Sequence, residues 1–216
     1  MAPIASQRFE FRTGTELIPT NPEQQSSSTV VLVPVKSFAA AKGRLAAVLT
    51  EAQRVALMQN LTARVIAAAH PFDVAVVCDD DEVATWSRNH GARVIWTPTR
   101  GLNGAVRDGL DALAALGYET VIVAHGDLGS PAGLSQLTRE ADLVLVPDTR
   151  QDGTNVLVIS ATADFTFAYG ARSFAAHLEE AKRRGLSVQV ITNSGLQHDV
   201  DEPDDLQGLD LDTLLN

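Results

Sequence analysis

Short runs of Val, Leu and Ile recur along this chain at intervals that leave room for a helix between most of them. That spacing constrains the fold more than any other feature. Val30–Val35 is a β-branched run of the kind buried on both faces of a sheet. A helix is expected from Thr50, where Thr50 and Gln53 have capping-box spacing. Val55, Met58, Leu61, Val65 and Ala69 then form an apolar stripe. Asp73–Cys78 reads as a second strand, Asp80–His90 as a short helix and Arg93–Trp96 as a third strand. Leu102–Leu116 is a helix closed by Gly117, and Thr120–Ala124 a fourth strand with a short helical piece after Pro131. Leu143–Val146 and Asn155–Ser160 are strands around the polar loop Pro147–Thr154. Ala171–Arg184 is a helix ending at Gly185, and Ser187–Thr192 is the last strand. Such alternation predicts an α/β domain with a mostly parallel sheet covered on both faces.

The periodic part runs from residue 30 to the end of the 216-residue chain, enough for one sizeable domain. Residues 1–29 are polar and without period, and read as a flexible leader. A net charge of −10 argues against a general nucleic-acid binder. The single cysteine, Cys78, excludes an internal disulfide and a cysteine metal cluster, and fits a reducing cytoplasm. The longest apolar runs are too short to span a bilayer, and the N-terminal stretch lacks the apolar segment of a signal peptide. A homodimer stays open.

In parallel sheets ligands bind beyond the carboxyl ends of the strands, so the loops that follow strands are where chemistry is expected. Lys36, Lys42 and Arg44 fall in the first such loop, which lacks the glycines of a P-loop but carries charge suited to a polyphosphate. Without further context the same residues read equally well as a solvated surface. Asp127 follows a buried strand, where a carboxylate suits a hard cation such as magnesium or, more simply, caps a turn. Asp199 and Asp201 are two apart after the last strand, so in extended chain they face the same side. Like charges that close raise one another's pKa unless a cation intervenes. Glu202, Asp204 and Asp205 read as the first turn of a terminal helix. Gly153 lets a ligand approach the backbone, and Thr154 offers a hydroxyl. Gly170 and Ser173 open a helix whose free amides suit an anion, although Ser173 is also an ordinary N-cap. Asn103 either reads a ribose or base, or holds a turn.

The ordered set LVPVK with KGRL, GLNGAV, AHGDL, PDTRQDGTNVL, YGARSFAAHLEEA and HDVDEPDDL resembles the guanylyltransferases of coenzyme F420 biosynthesis, from about Val30 to Leu206. These act on 2-phospho-L-lactate or phosphoenolpyruvate. The resemblance implies the nucleotide-diphospho-sugar transferase fold, an αβα sandwich with a mixed, mainly parallel sheet. It further implies transfer of GMP from GTP to a three-carbon phospho-acid with release of pyrophosphate. Thr154, Gly170 and Ser173 match the phospho-acid positions, Asp127, Asp199 and Asp201 the magnesium carboxylates, and Lys36, Lys42 and Arg44 the triphosphate contacts. Gly129 departs from the pattern, since a proline commonly follows the Asp-Leu pair. Phosphoenolpyruvate is the preferred acceptor for a chain of this Ala- and Arg-containing bacterial character, with 2-phospho-L-lactate and 3-phosphoglycerate the alternatives. The competing readings are a nucleotidyltransferase for a sugar phosphate or pterin cofactor, and a non-catalytic nucleotide-binding regulator.

Overall fold

The computed structural model describes residues 28–98, 101–192 and 194–215. The expected leader over 1–29 lies outside the described residues except for its last two, and Thr29 already belongs to the first strand. Among the described residues seven strands form one sheet in the order β3-β2-β1-β4-β6-β5-β7. In chain order they are β1 (Thr29–Pro34), β2 (Asp73–Cys78), β3 (Arg93–Trp96), β4 (Thr120–Ala124), β5 (Leu143–Pro147), β6 (Thr154–Ser160) and β7 (Val188–Val190). The helices are α1 (Glu51–Ala68), α2 (Asp81–Asn89), α3 (Gly101–Ala115), α4 (Ser173–Arg184) and the single turn α5 (Leu211–Leu214). Only β6 runs against its neighbours, antiparallel to both β4 and β5. The reason is local. The Asp148 carboxylate accepts from the amides of Asp152 and Gly153, both at 2.9 Å, and folds the β5–β6 loop into a hairpin too short for a crossover.

Alternation along the strands sends successive residues to opposite faces. Val31, Val33, Ile122, Val144 and Val158 pack with Met58 and Val65 of α1 and Val83 of α2. Leu32, Val123, Leu145 and Leu157 pack with Val106, Leu110 and Leu113 of α3 and Ala181 of α4. Helix α1 has a second task. Its Leu57 and Leu61 meet Leu45, Val200 and Leu214, so the tail folds back over α1 and lies beside the loop after β1.

Capping explains the helix starts. Thr50 and Gln53 form the expected reciprocal box, and Asp80 accepts from the amides of Glu82 and Val83. Glu202 and Asp205 form another box at a short 3-10 turn, Pro203–Leu206, as expected of carboxylates there. Several boundaries shift by one residue, those of α2, α3 and β6 among them, and three readings are refined further. The last strand is the shorter β7, α4 begins at Ser173 rather than Ala171, and the piece after Pro131 is a 3-10 turn over Leu134–Gln136.

Gly109 lets α3 lie close on β1, since a Cβ there would stand 2.7 Å from Leu32 Cδ2 and 3.2 Å from its Cδ1. Gly109→Ala gains about 1 kcal/mol of helix propensity but overpacks a buried leucine at about 1–3 kcal/mol. A net loss of about 1 kcal/mol is the expected outcome, read from the urea midpoint at constant m-value.

Candidate active site

The carboxyl ends of β1, β2, β3 and β4 surround a cavity of about 430 Å³. Pro34, Val35, Val77 and Leu102 give it apolar walls, and its polar groups include Lys36, Asp79, Thr97, His125, Asp127 and Asp201. An apolar hollow with a few placed polar groups is the usual form of a small-molecule site.

Asp127 follows β4 and is carried to this wall by the strand. Its neighbour Leu128 pairs with Asp199 in an isolated antiparallel bridge. Gly129 N donates to His198 O at 2.8 Å and Val200 N to Asp127 O at 3.1 Å. These two bonds bring the acidic tail beside the loop after β4. The ammonium of Lys42 then reaches both carboxylates, donating to Asp127 Oδ2 and, at 2.7 Å, to Asp201 Oδ1. The Lys42 side chain is only 4% exposed. Its backbone is left-handed at φ 59°, a conformation costing a lysine on the order of 1 kcal/mol, which the double ion pair offsets.

Burial alone would lower the Lys42 pKa, but the charges of Asp127 and Asp201 outweigh it and hold the ammonium above its usual range. Burial likewise favours the neutral acid at Asp127, yet Lys42 and its hydrogen bond keep that carboxyl below the ordinary range. Asp199 goes the other way. Burial raises it first, the Asp127 charge adds to this, and the Asn155 hydrogen bond opposes only in part. The mutual repulsion expected of the carboxylates is therefore present at Asp199, whereas Lys42 relieves it at Asp127.

Asp127 Oδ1 is buried with no hydrogen-bond partner among the described residues, and so is His125 Nε2. Among the described residues no three carboxylate, imidazole or thiol groups converge to hold a metal ion, and Lys42 stands between Asp127 and Asp201 instead. Lys36 lines the cavity. Arg44 is exposed, its guanidinium 3.7 Å from Glu202, which also takes a two-pronged bond from Arg150 at 3.2 and 2.8 Å.

Gly170 and Ser173 form the opening of α4, and Thr154 meets that helix one turn further on, at His177. Thr154 is buried at the start of β6, where its hydroxyl lies 3.0 Å from His177 Nδ1. Gly170 adopts φ 130°, open to glycine and strained for other residues. Ser173 is buried at the first position of α4. The expected free amides are engaged here: Arg172 N donates to Asp152 Oδ2 at 3.1 Å, Phe174 N to Asp152 O at 3.0 Å and Ser173 N to Gly170 O at 3.1 Å. A carboxylate of the chain itself thus occupies the helix start. Asn103 clamps the same segment, its Oδ1 accepting from Tyr169 N at 2.6 Å and its Nδ2 donating to Tyr169 O at 3.3 Å.

Several contributors escaped the sequence reading. Asp79 and Thr97 line the cavity from the ends of β2 and β3, and Thr97 Oγ1 is buried without a partner among the described residues. Asn155 Nδ2 reaches Leu196 O, Gln197 O and Asp199 Oδ1 at 3.2, 2.9 and 3.2 Å, tying β6 to the tail. No helix among the described residues is long and apolar enough to cross a membrane.

The family model "Guanylyl transferase CofC like" matches residues 29–212. A phosphoenolpyruvate guanylyltransferase of Sphaerobacter thermophilus is 33% identical over 191 residues, covering 84% of this chain and 92% of that protein. A 3-phospho-D-glycerate guanylyltransferase of Phenylobacterium zucineum is 34% identical over 189 residues, covering 81% and 86%. A 2-phospho-L-lactate guanylyltransferase of Methanocaldococcus jannaschii is 28% identical over 182 residues, covering 82% and 80%. Among solved structures, one from Desulfovibrio desulfuricans described as a nucleotide-diphospho-sugar transferase superposes with a TM-score of 0.66. It is 16% identical and covers 88% of this chain and 94% of that one, a likeness of fold. The expected fold is thereby borne out.

His177 provides a pH test of this region. Burial, helped by the charge of His125, lowers its pKa from 6.5 to about 4. The unfolded chain then binds the proton more tightly than the folded one. The contribution is full above pH 6.5 and is lost as pH falls towards 4. Wild type is therefore expected to lose its stability margin over His177→Gln by up to about 1.4 kcal/mol per pH unit in that window. Urea unfolding of both proteins at about pH 7 and about pH 5 measures it.

Proposed function

The chain belongs to the CofC-like guanylyl transferase family, and from that premise we propose that it moves GMP from GTP onto a three-carbon phospho-acid in coenzyme F420 biosynthesis. A phosphate oxygen of the acceptor attacks the α-phosphorus of GTP. The new P–O bond forms as the bond to the β-phosphate oxygen breaks, and pyrophosphate leaves. A phosphate monoester is already anionic near neutral pH, so the acceptor needs no general base. What remains for the protein is positioning and charge neutralisation.

The observation that carries the reading is Asp127. One of its oxygens is held by Lys42, while the other is buried and unpartnered among the described residues, on the cavity wall. A carboxylate oxygen without a donor suits a hard cation, and Asp127 and Asp201, with Asp199 beside them, would hold magnesium. Bound there, the ion supplies positive charge to phosphate oxygens. Lys42, Lys36 and Arg44 supply the protein's own share of that charge to the triphosphate.

Asp79 and Thr97 favour a guanine at the far end of the cavity. β4, which positions Asp127, lies three places from β3 in the sheet, roughly 14 Å at the usual strand spacing. That span suits a nucleotide laid from its phosphates to its base. Guanine presents two adjacent N–H donors, which a carboxylate accepts with both oxygens. Phosphoenolpyruvate is the acceptor we favour. Phosphoenolpyruvate and 2-phospho-L-lactate share a C2 phosphate and differ only in the saturation of the C2–C3 bond, a difference that a pocket separates by only about 1–3 kcal/mol. The reaction has no requirement for nucleic acid or membrane, and a cytoplasmic setting fits it.

Asp127→Asn is expected to lower pyrophosphate release by about 100-fold or more. The assay contains GTP, magnesium and each of phosphoenolpyruvate, 2-phospho-L-lactate and 3-phosphoglycerate, with the product identified by mass. Near-full release by the variant would remove Asp127 from the mechanism. Asp79→Asn is expected to raise KM for GTP by about 10- to 100-fold, the worth of a hydrogen bond to a charged group, with KM for the acid little changed. An unaltered KM for GTP places the base elsewhere.

A further inference from the structure

Ala168 N donates to His177 Nε2 at 3.0 Å, so that nitrogen carries no proton. In the neutral ring the proton is then on Nδ1, 3.0 Å from Thr154 Oγ1. The Thr154 oxygen is used as an acceptor on that side, which frees its own O–H to donate outward. The ionised phosphate and carboxylate of a phosphorylated acid are hydrogen-bond acceptors, so a hydroxyl that binds either must present a proton and not a lone pair. The ring itself has little freedom. It is fully buried, with Tyr169 set edge-on at 4.9 Å between centroids and Phe165 at 5.8 Å.

The same imidazole bonds one of the three positions implied to bind the acceptor and is tied to the segments that carry the other two. It bonds Thr154 directly. Through Ala168 it anchors the segment two residues before Gly170. It also lies on the same face of α4 as Ser173, four residues earlier. We propose that His177 is the positioning residue of the phospho-acid site: its Nδ1–H sets the Thr154 hydroxyl as a donor while its Nε2 holds the loop that enters α4. This rests on the reading of Thr154, Gly170 and Ser173 as acceptor contacts.

His177→Phe removes both polar positions and keeps a ring, whereas His177→Gln retains one donor and one acceptor. His177→Phe is expected to raise KM for the phospho-acid by roughly 10-fold or more while KM for GTP stays roughly constant, and His177→Gln is expected to recover part of that loss. A double-mutant cycle with Thr154→Val separates positioning from structure. If His177 acts through the hydroxyl, replacing it by Phe costs clearly less acid binding in the Thr154→Val background than in the wild type, the remaining loss being the share of the Ala168 bond. Additive losses, or an equal rise in KM for GTP, overturn the proposal. If His177→Phe fails to fold, the cycle is run with His177→Gln, whose defect must likewise be smaller in the Thr154→Val background. Nitrogen NMR of the labelled imidazole reads the tautomer without turnover, and a proton on Nε2 in the wild type overturns the proposal directly. Should the expected tautomer be found in a protein that transfers GMP to none of the three acids, the guanylyl-transfer reading fails and the acceptor role falls with it.

Discussion

A carboxylate delivered to the end of a buried strand must be matched by positive charge, and Lys42 provides that match for Asp127. The rest of the site is arranged around this pairing. Lys42 comes from the loop after β1, Asp127 from the loop after β4, and Asp201 from the tail, so one ammonium joins three distant stretches of chain. The cluster Leu45, Leu57, Leu61, Val200 and Leu214 fixes two of those stretches from below by apolar burial. Lys42 is therefore costly to place, in a left-handed backbone and nearly out of water, yet protonated because two anions face it. A cation held by Asp127, as proposed, would compete with the same ammonium for that carboxylate.

The sheet order sets the cavity and Thr154 on different strands of one sheet. β1, β2 and β3 are parallel, and their ends form the cavity with Asp79 and Thr97. Beyond β4 the direction reverses at β6, which carries Thr154 at its N-terminal end to the edge where its neighbours carry their carboxyl ends. The reversal is what places the Thr154 hydroxyl and Asp127 at one end of the sheet. Asn155 extends the link by binding the tail beside Asp199. An all-parallel β6 would send Thr154 to the opposite edge.

Most of the fold was legible because buried parallel strands are written as unbroken runs, Val30–Val35 and Thr120–Ala124 among them, and because Thr50, Asp80 and Gly185 mark helix ends by local chemistry. β7 was over-read because Ser187–Thr192 has strand composition, while the ladder with β5 covers Val188–Val190, with one further bond to β5 at each of Ser187 and Ile191. Within the site, the grouping of Asp127 with Asp199 and Asp201 came from motif order. The part of Lys42 as their counter-ion is a three-dimensional fact with no local signature. Asp79 was hidden for a related reason. It stands beside Asp80, whose capping role accounts for an acid there, and only the cavity distinguishes the two. His177 looked like one polar residue on a helix face, since its two bonds go to residues 23 and 9 positions away.

Gly129 shows how a departure from a motif is absorbed. In the sequences this chain resembles, a proline commonly follows the Asp-Leu pair and stiffens the turn by its fixed φ. A proline here has no N–H, so the 2.8 Å bond from Gly129 to His198 O could not form. A Cβ at this position would also stand 2.8 Å from His198 Nδ1 and 3.3 Å from Val200 Cγ2. Glycine therefore exchanges the rigidity of a ring for a hydrogen bond and a close approach of the tail. The exchange is local to residues 127–129 and 198–200, and Val200 N remains bonded to Asp127 O. The loop that presents Asp127 is held by the acidic tail itself, so the carboxylates of the two segments are positioned as one unit rather than by two independent turns.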